Sequence, residues 1–203
     1  FYGFSALPEV QIPDSVSVLS EYAFSGCRTL TNVIIPKDVT SIGTCAFSGC
    51  TSLTEITIPD GITELSYGIF EYCPWLTEIT LPAGITSIGD YAFSSCSSLR
   101  TVNFKGDQKQ KAQITVGQYN DFVLSATWNY EAQDGVTLTN VSIKSLPAKI
   151  KFVNGEELDT AGLVLAATYS DGDTLDITCG FTVSGYDSWT AGVQQITVVY
   201  EGV

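Results

Sequence analysis

The segment IPKDVTSIGTCAFSGCTSLTEIT, residues 35–57, decides the fold of this chain. It is one of four consecutive copies of a 23-residue unit, which occupy residues 12–34, 35–57, 58–80 and 81–103 without a gap. Identical residues mark the repeat in four columns: Pro13, Pro36, Pro59 and Pro82; Phe24, Phe47, Phe70 and Phe93; Cys27, Cys50, Cys73 and Cys96; and Leu30, Leu53, Leu76 and Leu99. A fixed period of this length is typical of a solenoid, in which each unit buries its apolar edge against the next.

Each copy contains one clear strand signal, which in the second copy runs from Leu53 to Ile58. Ile56 and Ile58 are two residues apart and therefore point to one face of a strand, whereas Glu55 and Thr57 point to the other. Stacked copies predict a parallel sheet with about one strand per repeat. A proline follows each strand and stops its hydrogen bonding, because proline has no N–H group.

The segment AFSGC, residues 46–50, is predicted to turn the chain on the opposite, convex side through a short helical or irregular turn. Gly26 and Gly49 would allow a tight bend there. The resulting pattern, IP-x-x-V-x-x-I-x-x-x-AF-x-x-C-x-x-L-x-x-I, resembles the BspA-like (Treponema-type) leucine-rich repeat of bacterial surface proteins. The resemblance covers residues 12–103, and residues 4–11 resemble the tail of a preceding copy, with Leu7 and Val10 matching Leu30 and Val33.

The period ends after residue 103, and residues 104–131 are predicted to form a cap over the last apolar edge. The apolar residues available for the cap are Phe104, Ile114, Val116, Phe122, Val123, Leu124 and Trp128. Asn120 or Asp121 is expected to cap a short helix over residues 122–126. The solenoid is thus assigned to residues 1–131, and the small polar residues 132–140 to a linker.

Residues 141–203 show a different pattern, in which short β-rich runs alternate with turn signals such as Asn154-Gly155 and Asp171-Gly172. Strands are predicted over residues 141–144, 150–152, 163–169, 174–178, 181–184 and 194–200. The segments LPAKIKFVNGEELDTAGL, ATYSDGD and AGVQQITVVYEG resemble the bacterial immunoglobulin-like domain of the group 3 type. The expected fold is therefore mainly β, a leucine-rich-repeat solenoid followed by an Ig-like β-sandwich.

Charge and composition limit the possible partners. The chain has a net charge of −13 without long runs of like charge, so nucleic acid and anionic membranes would be repelled. No apolar stretch is long enough to predict direct membrane insertion. Because the chain contains no methionine, it is expected to be a piece of a longer protein.

Six cysteines are present and histidine is absent. Neighbouring cysteines of the repeat column would lie about 5 Å apart with parallel Cβ vectors, a geometry that disfavours disulfides. We interpret them as buried thiols that act as small apolar residues. Without histidine or a C-x-x-C pair, no zinc site, other metal site or cofactor is predicted.

No residue pattern predicts catalysis. Serines such as Ser48 and Ser94 lack the histidine of a conventional triad, and they fit turn positions between apolar columns. Aligned carboxylates at Glu9, Glu55 and Glu78 would stand about 5 and 10 Å apart on an open face, which offers no pocket. Asp171, Asp173 and Asp176 could hold calcium but are better explained as acids of a hairpin turn.

Binding surfaces are predicted in two places. The concave side of the strand ladder is the surface that solenoids commonly use for partners. Its candidate binding residues are Glu9, Gln11, Asn32, Ile34, Glu55, Thr57, Glu78, Thr80, Thr101 and Asn103. A second candidate is an aromatic patch of Tyr67, Tyr72 and Trp75 in the third copy, for which edge packing is the alternative explanation.

These features predict a non-catalytic binding protein that is secreted or displayed on a bacterial surface. The BspA-like resemblance implies adhesion to a host extracellular protein or glycan, or to another bacterial surface, with the Ig-like domain as a spacer. Two alternatives remain open: accessory modules of a larger surface enzyme, such as a glycan or cell-wall hydrolase, and a structural stalk without a ligand.

Overall fold

The computed structural model describes residues 1–131, 136–153 and 155–201. The chain divides into two compact units, Phe1–Gly135 and Val136–Val203. The elements of the first unit are β1 (Glu9–Gln11), β2 (Val18–Leu19), β3 (Asn32–Ile34), β4 (Ser41–Ile42), β5 (Glu55–Thr57), β6 (Glu64–Leu65), β7 (Glu78–Leu81), β8 (Ser87–Ile88), β9 (Thr101–Phe104), α1 (Gln108–Ala112), β10 (Thr115–Val116), α2 (Asp121–Leu124) and β11 (Thr127–Tyr130). This unit is a solenoid built mainly from short parallel strands.

The predicted strand ladder is confirmed. β1 pairs with β3, and β5, β7, β9 and β11 form a continuous parallel sheet. Ile56 aligns with Ile79, and Ile79 aligns with Val102, so equivalent residues of successive copies are direct neighbours. We call these six strands the concave ladder. Among the described residues, no strand pairing joins β3 to β5, so the ladder is interrupted between its second and third strands.

Each repeat carries a second strand, so the expectation of about one strand per repeat is wrong. β2 pairs with β4, and β6, β8 and β10 form another parallel sheet. These strands contain only two residues each. One of the two is buried in β2, β4, β6 and β8, as in the pair Leu19 and Ile42, whereas Val116 of β10 is only partly buried. This second ladder is interrupted one repeat later than the first, between β4 of the second copy and β6 of the third.

The convex side consists of irregular turns held together by backbone hydrogen bonds between repeats. In the second copy, the N–H groups of Cys45, Phe47 and Gly49 donate to carbonyls of the third copy at 3.0, 3.0 and 2.7 Å. Gly26 and Gly49 adopt φ values of +73° and +71°, as the sequence predicts for a tight bend. Bonds of this kind cross both repeat boundaries at which a strand ladder is interrupted, as in the N–H of Phe24, which donates to the carbonyl of Ala46 in the second copy at 2.7 Å.

The interior contains a continuous stack of phenylalanine rings. Phe24, Phe47, Phe70 and Phe93 lie 5.3–5.7 Å apart between ring centroids. Phe1 extends the stack, at 5.5 Å from Phe24. The partial copy before residue 12 therefore includes Phe1, three residues earlier than the sequence comparison indicated.

The cysteines of the repeat column are buried and reduced, and their thiols also form hydrogen bonds, in addition to packing as small apolar groups. Each thiol donates a hydrogen bond to the phenylalanine carbonyl of the preceding repeat, as in Cys50 to Phe24 at 3.2 Å. Burial raises the pKa of Cys50 and of Cys96 to about 12, because the thiolate would lose its hydration. Cys73 has its pKa raised for the same reason.

The cap closes the solenoid with α1, α2 and β11. Ile114 and Val123 are buried, Phe122 and Trp128 pack partly against the core, and Leu124 is exposed, contrary to its predicted place in the cap core. The predicted helix cap is also corrected. Asn120 occupies the N-cap position of α2 but makes no side-chain capping bond, because its amide points into the last repeat.

The second unit contains β12 (Leu138–Ser145), β13 (Val164–Tyr169), β14 (Thr174–Ile177), β15 (Thr182–Ser184) and β16 (Thr197–Val199). β12, β13 and β14 form one antiparallel sheet, and β15 and β16 form another, consistent with an Ig-like domain. β12 starts inside the segment predicted as a linker, whose residues 132–135 lie outside the described part of the chain. The sequence predicts a strand over residues 150–152, but the structure has none there, and Ile150 is exposed. The turn residue Asn154 is not among the described residues.

Candidate functional site: the concave ladder

The concave ladder presents two parallel rows of side chains to solvent, because alternate residues of each strand point outward. The first row is Glu9, Asn32, Glu55, Glu78 and Thr101, and the second row is Gln11, Ile34, Thr57, Thr80 and Asn103. These are the ten residues predicted from the sequence. They are exposed from β1 to β5 and partly buried on β7 and β9, whereas the residues between the rows are buried, apart from the partly buried Val10.

The cap extends both rows by one position that the sequence reasoning missed. β11 pairs in parallel with β9, so Thr127 lies beside Thr101 and Asn129 beside Asn103. The signal was present in the alternation of TWNY, in which Trp128 and Tyr130 pack inward. It was obscured because this segment lacks the prolines and leucines of the repeat.

Hydrogen bonds connect the side chains at the C-terminal end of the rows. The amide of Asn129 donates to Asn103 Oδ1 at 2.9 Å, and the amide of Asn103 donates to Glu78 Oε1 at 2.7 Å. These bonds fix three neighbouring side chains in position. This series of hydrogen bonds ends at Glu78, which accepts, and does not extend to Glu55.

A groove of about 420 Å³ lies where the concave ladder is interrupted. Its floor and walls come from β3, β5 and β7, and we call it the concave groove. Ile34 lines it with 67% of its surface exposed, the most exposed side chain among the aliphatic residues of the solenoid. The polar lining of the groove therefore includes an accessible apolar wall.

Charged residues lie at both ends of the concave groove. Glu55 and Glu78 are aligned in register at one end. Beyond the prolines at the other end, Lys105 Nζ bonds Asp60 Oδ1 at 2.7 Å, and Lys37 lies nearby. Among the described residues, no hydrogen bond or ion pair engages the Glu55 carboxylate. The groove thus has an acidic end with two carboxylates and an opposite end with two lysines and one aspartate.

The predicted aromatic patch is exposed but does not form one cluster. Tyr67, Tyr72 and Trp75 all have large accessible surfaces. Tyr67 instead contacts Tyr91 at 5.4 Å, and Tyr91 stacks on Tyr119 of the cap at 4.3 Å. No ring contact joins Tyr67 to Tyr72 or Trp75 within the described chain. Its use as a binding site stays a prediction.

The acidic segment of the second unit forms the hairpin turn between β13 and β14. Asp173 N–H donates to Asp171 Oδ1 at 3.1 Å, and Asp176 pairs with Lys144 at 2.6 Å. Over residues 1–131, 136–153 and 155–201, no group of three or more cysteines, aspartates or glutamates is placed to hold a metal ion. In the same residues, no helix is long and apolar enough to span a membrane.

Two sequence families match the chain. Residues 1–114 match the family described as "BspA type Leucine rich repeat region (6 copies)". Residues 145–203 match "Bacterial Ig-like domain (group 3)". The two matches follow one another along the chain in the order that the sequence predicts. Both are repeat or Ig-like modules of a kind that is typically non-catalytic.

Similar proteins include parts of two enzymes. An exo-beta-1,6-galactobiohydrolase of Bifidobacterium longum subsp. longum is 35% identical over 100 residues, which is 46% of this chain. Pectate lyase L of Thermoclostridium stercorarium is 37% identical over 73 residues, which is 33% of this chain. The chain spans about 6% of the length of each enzyme.

Solved structures with similarity are leucine-rich repeat proteins. A leucine-rich cell surface protein of Faecalibacterium prausnitzii A2-165 is 32% identical with a TM-score of 0.44, over 53% of this chain and 35% of that one. The leucine-rich repeat protein of T. pallidum is 22% identical with a TM-score of 0.48, over 58% of this chain and 63% of that one.

Proposed function

Because this chain belongs to the BspA-type leucine-rich repeat family, we propose that it is a non-catalytic binding protein, secreted or displayed on a bacterial surface. In this proposal the concave ladder contacts a host extracellular protein or glycan, or another bacterial surface. The Ig-like unit acts as a spacer. The combination of repeat and Ig-like modules supports a binding role.

The observation that carries this proposal is the pair of exposed rows on the concave ladder. The rows contain side chains from six strands, in register within the β1–β3 pair and within the sheet of β5, β7, β9 and β11, so a partner can contact many of them at once. The buried columns hold those strands in place independently of the outward residues. A surface of this kind offers area and hydrogen-bonding groups, which are what a macromolecular partner requires.

The test is binding of the full 203-residue chain to matrix proteins, mucin and bacterial polysaccharides at physiological salt. The concave variant is Thr57→Arg, which places a long charged side chain in the middle of the second row. The matched control is Thr29→Arg, at an exposed position outside the ladder. Binding that Thr57→Arg weakens at least ten-fold and Thr29→Arg leaves intact supports the proposal. Equal binding by both variants would assign the contact to another surface.

A second candidate function is that of accessory modules in a larger surface enzyme. The similarity to short parts of a hydrolase and a lyase favours it, since the matching region is about 6% of each enzyme. In this version the solenoid would hold a polysaccharide near a catalytic domain. Retention of the chain on insoluble pectate or β-1,6-galactan, but not on matrix proteins, would favour this function over adhesion.

A further inference from the structure

The concave groove combines an apolar wall with an acidic end, and this combination selects among ligands. The wall is Ile34 in the second row, and the acidic end is formed by Glu55 and Glu78 in the first row. Ile34 and Glu55 lie on neighbouring strands and in different rows. A rise of about 3.3 Å per residue and a strand spacing of about 4.8 Å place their Cα atoms about 8 Å apart. This separation is within reach of an extended lysine or arginine side chain that lies along the groove.

The carboxylates of Glu55 and Glu78 are unfavourably placed in the free protein. They are direct register partners on adjacent strands, which lie about 4.8 Å apart, and like charges in this arrangement destabilise a sheet. Asn103 donates to one oxygen of Glu78, but no described residue compensates Glu55. A cation bound between the two carboxylates would remove this repulsion.

Other charges around the concave groove do not supply that cation. Lys105 is paired with Asp60 at 2.7 Å. Lys37 follows Pro36, beyond the C-terminal end of β3, whereas the two glutamates begin their strands. The two rows themselves contain three carboxylates and no basic residue. The acidic end of the groove is therefore open to a positive group from outside.

We propose that the concave groove binds a lysine or arginine side chain of a protein partner. The cationic head lies between Glu55 and Glu78, and the aliphatic stem covers Ile34. The proposal rests on the proposed binding function and specifies the chemistry of the partner. A neutral glycan is less suitable, because it would desolvate two carboxylates without compensating their charge.

The probe is a blocked pentalysine peptide, compared with the same peptide acetylated on every side chain, by titration calorimetry at low salt. Glu55→Gln removes one carboxylate from the groove. Glu64→Gln, on β6 of the second ladder, removes the same charge outside it. We expect Glu55→Gln to weaken binding about two- to five-fold, the range of exposed ion pairs, and Glu64→Gln to change it little. Equal losses of pentalysine affinity in Glu55→Gln and Glu64→Gln would overturn the proposal, because they would indicate a general electrostatic attraction to an acidic chain.

Ile34→Thr tests the apolar wall without changing the charge. It should also weaken pentalysine binding, by about two-fold or more, because the aliphatic stem loses its contact surface. An unchanged affinity would show that the wall is not used and would overturn the proposal. The acetylated peptide should not bind, and binding that persists with it would likewise contradict a cation site.

This experiment separates the inference from the proposed function. If a matrix protein binds through the ladder, as shown by Thr57→Arg, but Glu55→Gln and Ile34→Thr leave its affinity unchanged, the cation site is wrong while the binding function stands. If pentalysine binds with the expected variant pattern but no macromolecule of the panel does, the groove is supported and the tested partners are wrong.

Discussion

Replacement of Asn120 by alanine is expected to destabilise the solenoid by about 1.5–4.5 kcal/mol. Asn120 is 1% exposed and connects the cap to the last repeat. Its Oδ1 accepts from the N–H of Phe93 at 3.0 Å. Its amide donates to the carbonyls of Gly89, Gly117 and Gln118 at 2.9, 2.9 and 3.2 Å.

The magnitude follows from the groups that the substitution leaves without partners. In the preceding copies, the N–H of Phe47 and that of Phe70 donate to a backbone carbonyl of the next repeat at 3.0 and 2.9 Å. After the last repeat the side chain of Asn120 takes the place of that carbonyl. Alanine would leave the buried Phe93 amide unpaired, at about 1–3 kcal/mol, and would remove the bond to the half-buried Gly117 carbonyl, at about 0.5–1.5 kcal/mol.

The assay is urea unfolding of the full chain, followed by far-UV circular dichroism and by hydrogen exchange of the Phe93 amide. Asn129→Ala is the matched control, because Asn129 lies in the same cap but is exposed and makes one side-chain bond to Asn103. It should cost no more than about 1 kcal/mol. Asn120→Asp should destabilise as well, since it keeps the acceptor for Phe93 but loses the donor and buries a charge.

Equal, small effects of Asn120→Ala and Asn129→Ala would refute this reasoning. That result would mean that the cap relaxes or admits water at no cost. A wild-type stability for Asn120→Asp would refute it independently, because the buried donor bonds would then contribute nothing.

Two further predictions concern the interior and the convex turns. The raised pKa values of Cys50 and Cys96, about 12, keep these thiols protonated in the folded state, whereas the unfolded chain releases their protons above about pH 9. The stability contributed by these protonated thiols is therefore complete below pH 9 and is lost toward pH 12, at about 1.4 kcal/mol per thiol and pH unit. The urea midpoint of unfolding should accordingly fall as the pH rises from 9 to 10.5, after little change from pH 7 to 9. The double variant Cys50→Ala/Cys96→Ala should show a smaller fall. Gly68→Ala should destabilise the protein by more than about 1–2 kcal/mol, because the φ of Gly68 is +58° and the added Cβ would lie 2.9 Å from Cys45 Sγ. Gly172→Ala is the control, since Gly172 has a φ of +89° but no atom within 4 Å of the added Cβ. It therefore measures the cost of the positive φ without a steric clash.

The period of the sequence predicted the parts of the fold that repeat. Register follows directly from it, because residues 23 apart must be neighbours in a stacked solenoid. Val10 beside Val33 and Ile56 beside Ile79 are examples. The outward rows followed from the alternation of buried and exposed residues along each strand, and so the ten ladder residues were predicted without the structure.

The features that the sequence did not predict depend on contacts outside the repeat. The second ladder uses two-residue strands, which are too short to show an alternating pattern. Asn120 satisfies the helix-cap pattern, but its side chain bonds the last repeat, and only the three-dimensional position of Phe93 reveals this. The groove depends on an interruption between β3 and β5, although the sequence repeats regularly there.

The construction of the solenoid explains why its binding residues can differ from copy to copy. Inward positions are constrained from both sides, since a ring such as Phe47 stacks on one neighbour at 5.3 Å and on the other at 5.7 Å. An outward residue contacts at most its row neighbours and solvent, so its replacement costs little stability. Accordingly the first row changes from Asn32 to Glu55 to Thr101 while the phenylalanine column is invariant across the four copies. In the proposed binding function, specificity would therefore depend on the rows, and most of all on the interruption between β3 and β5, where the groove leaves room for a ligand.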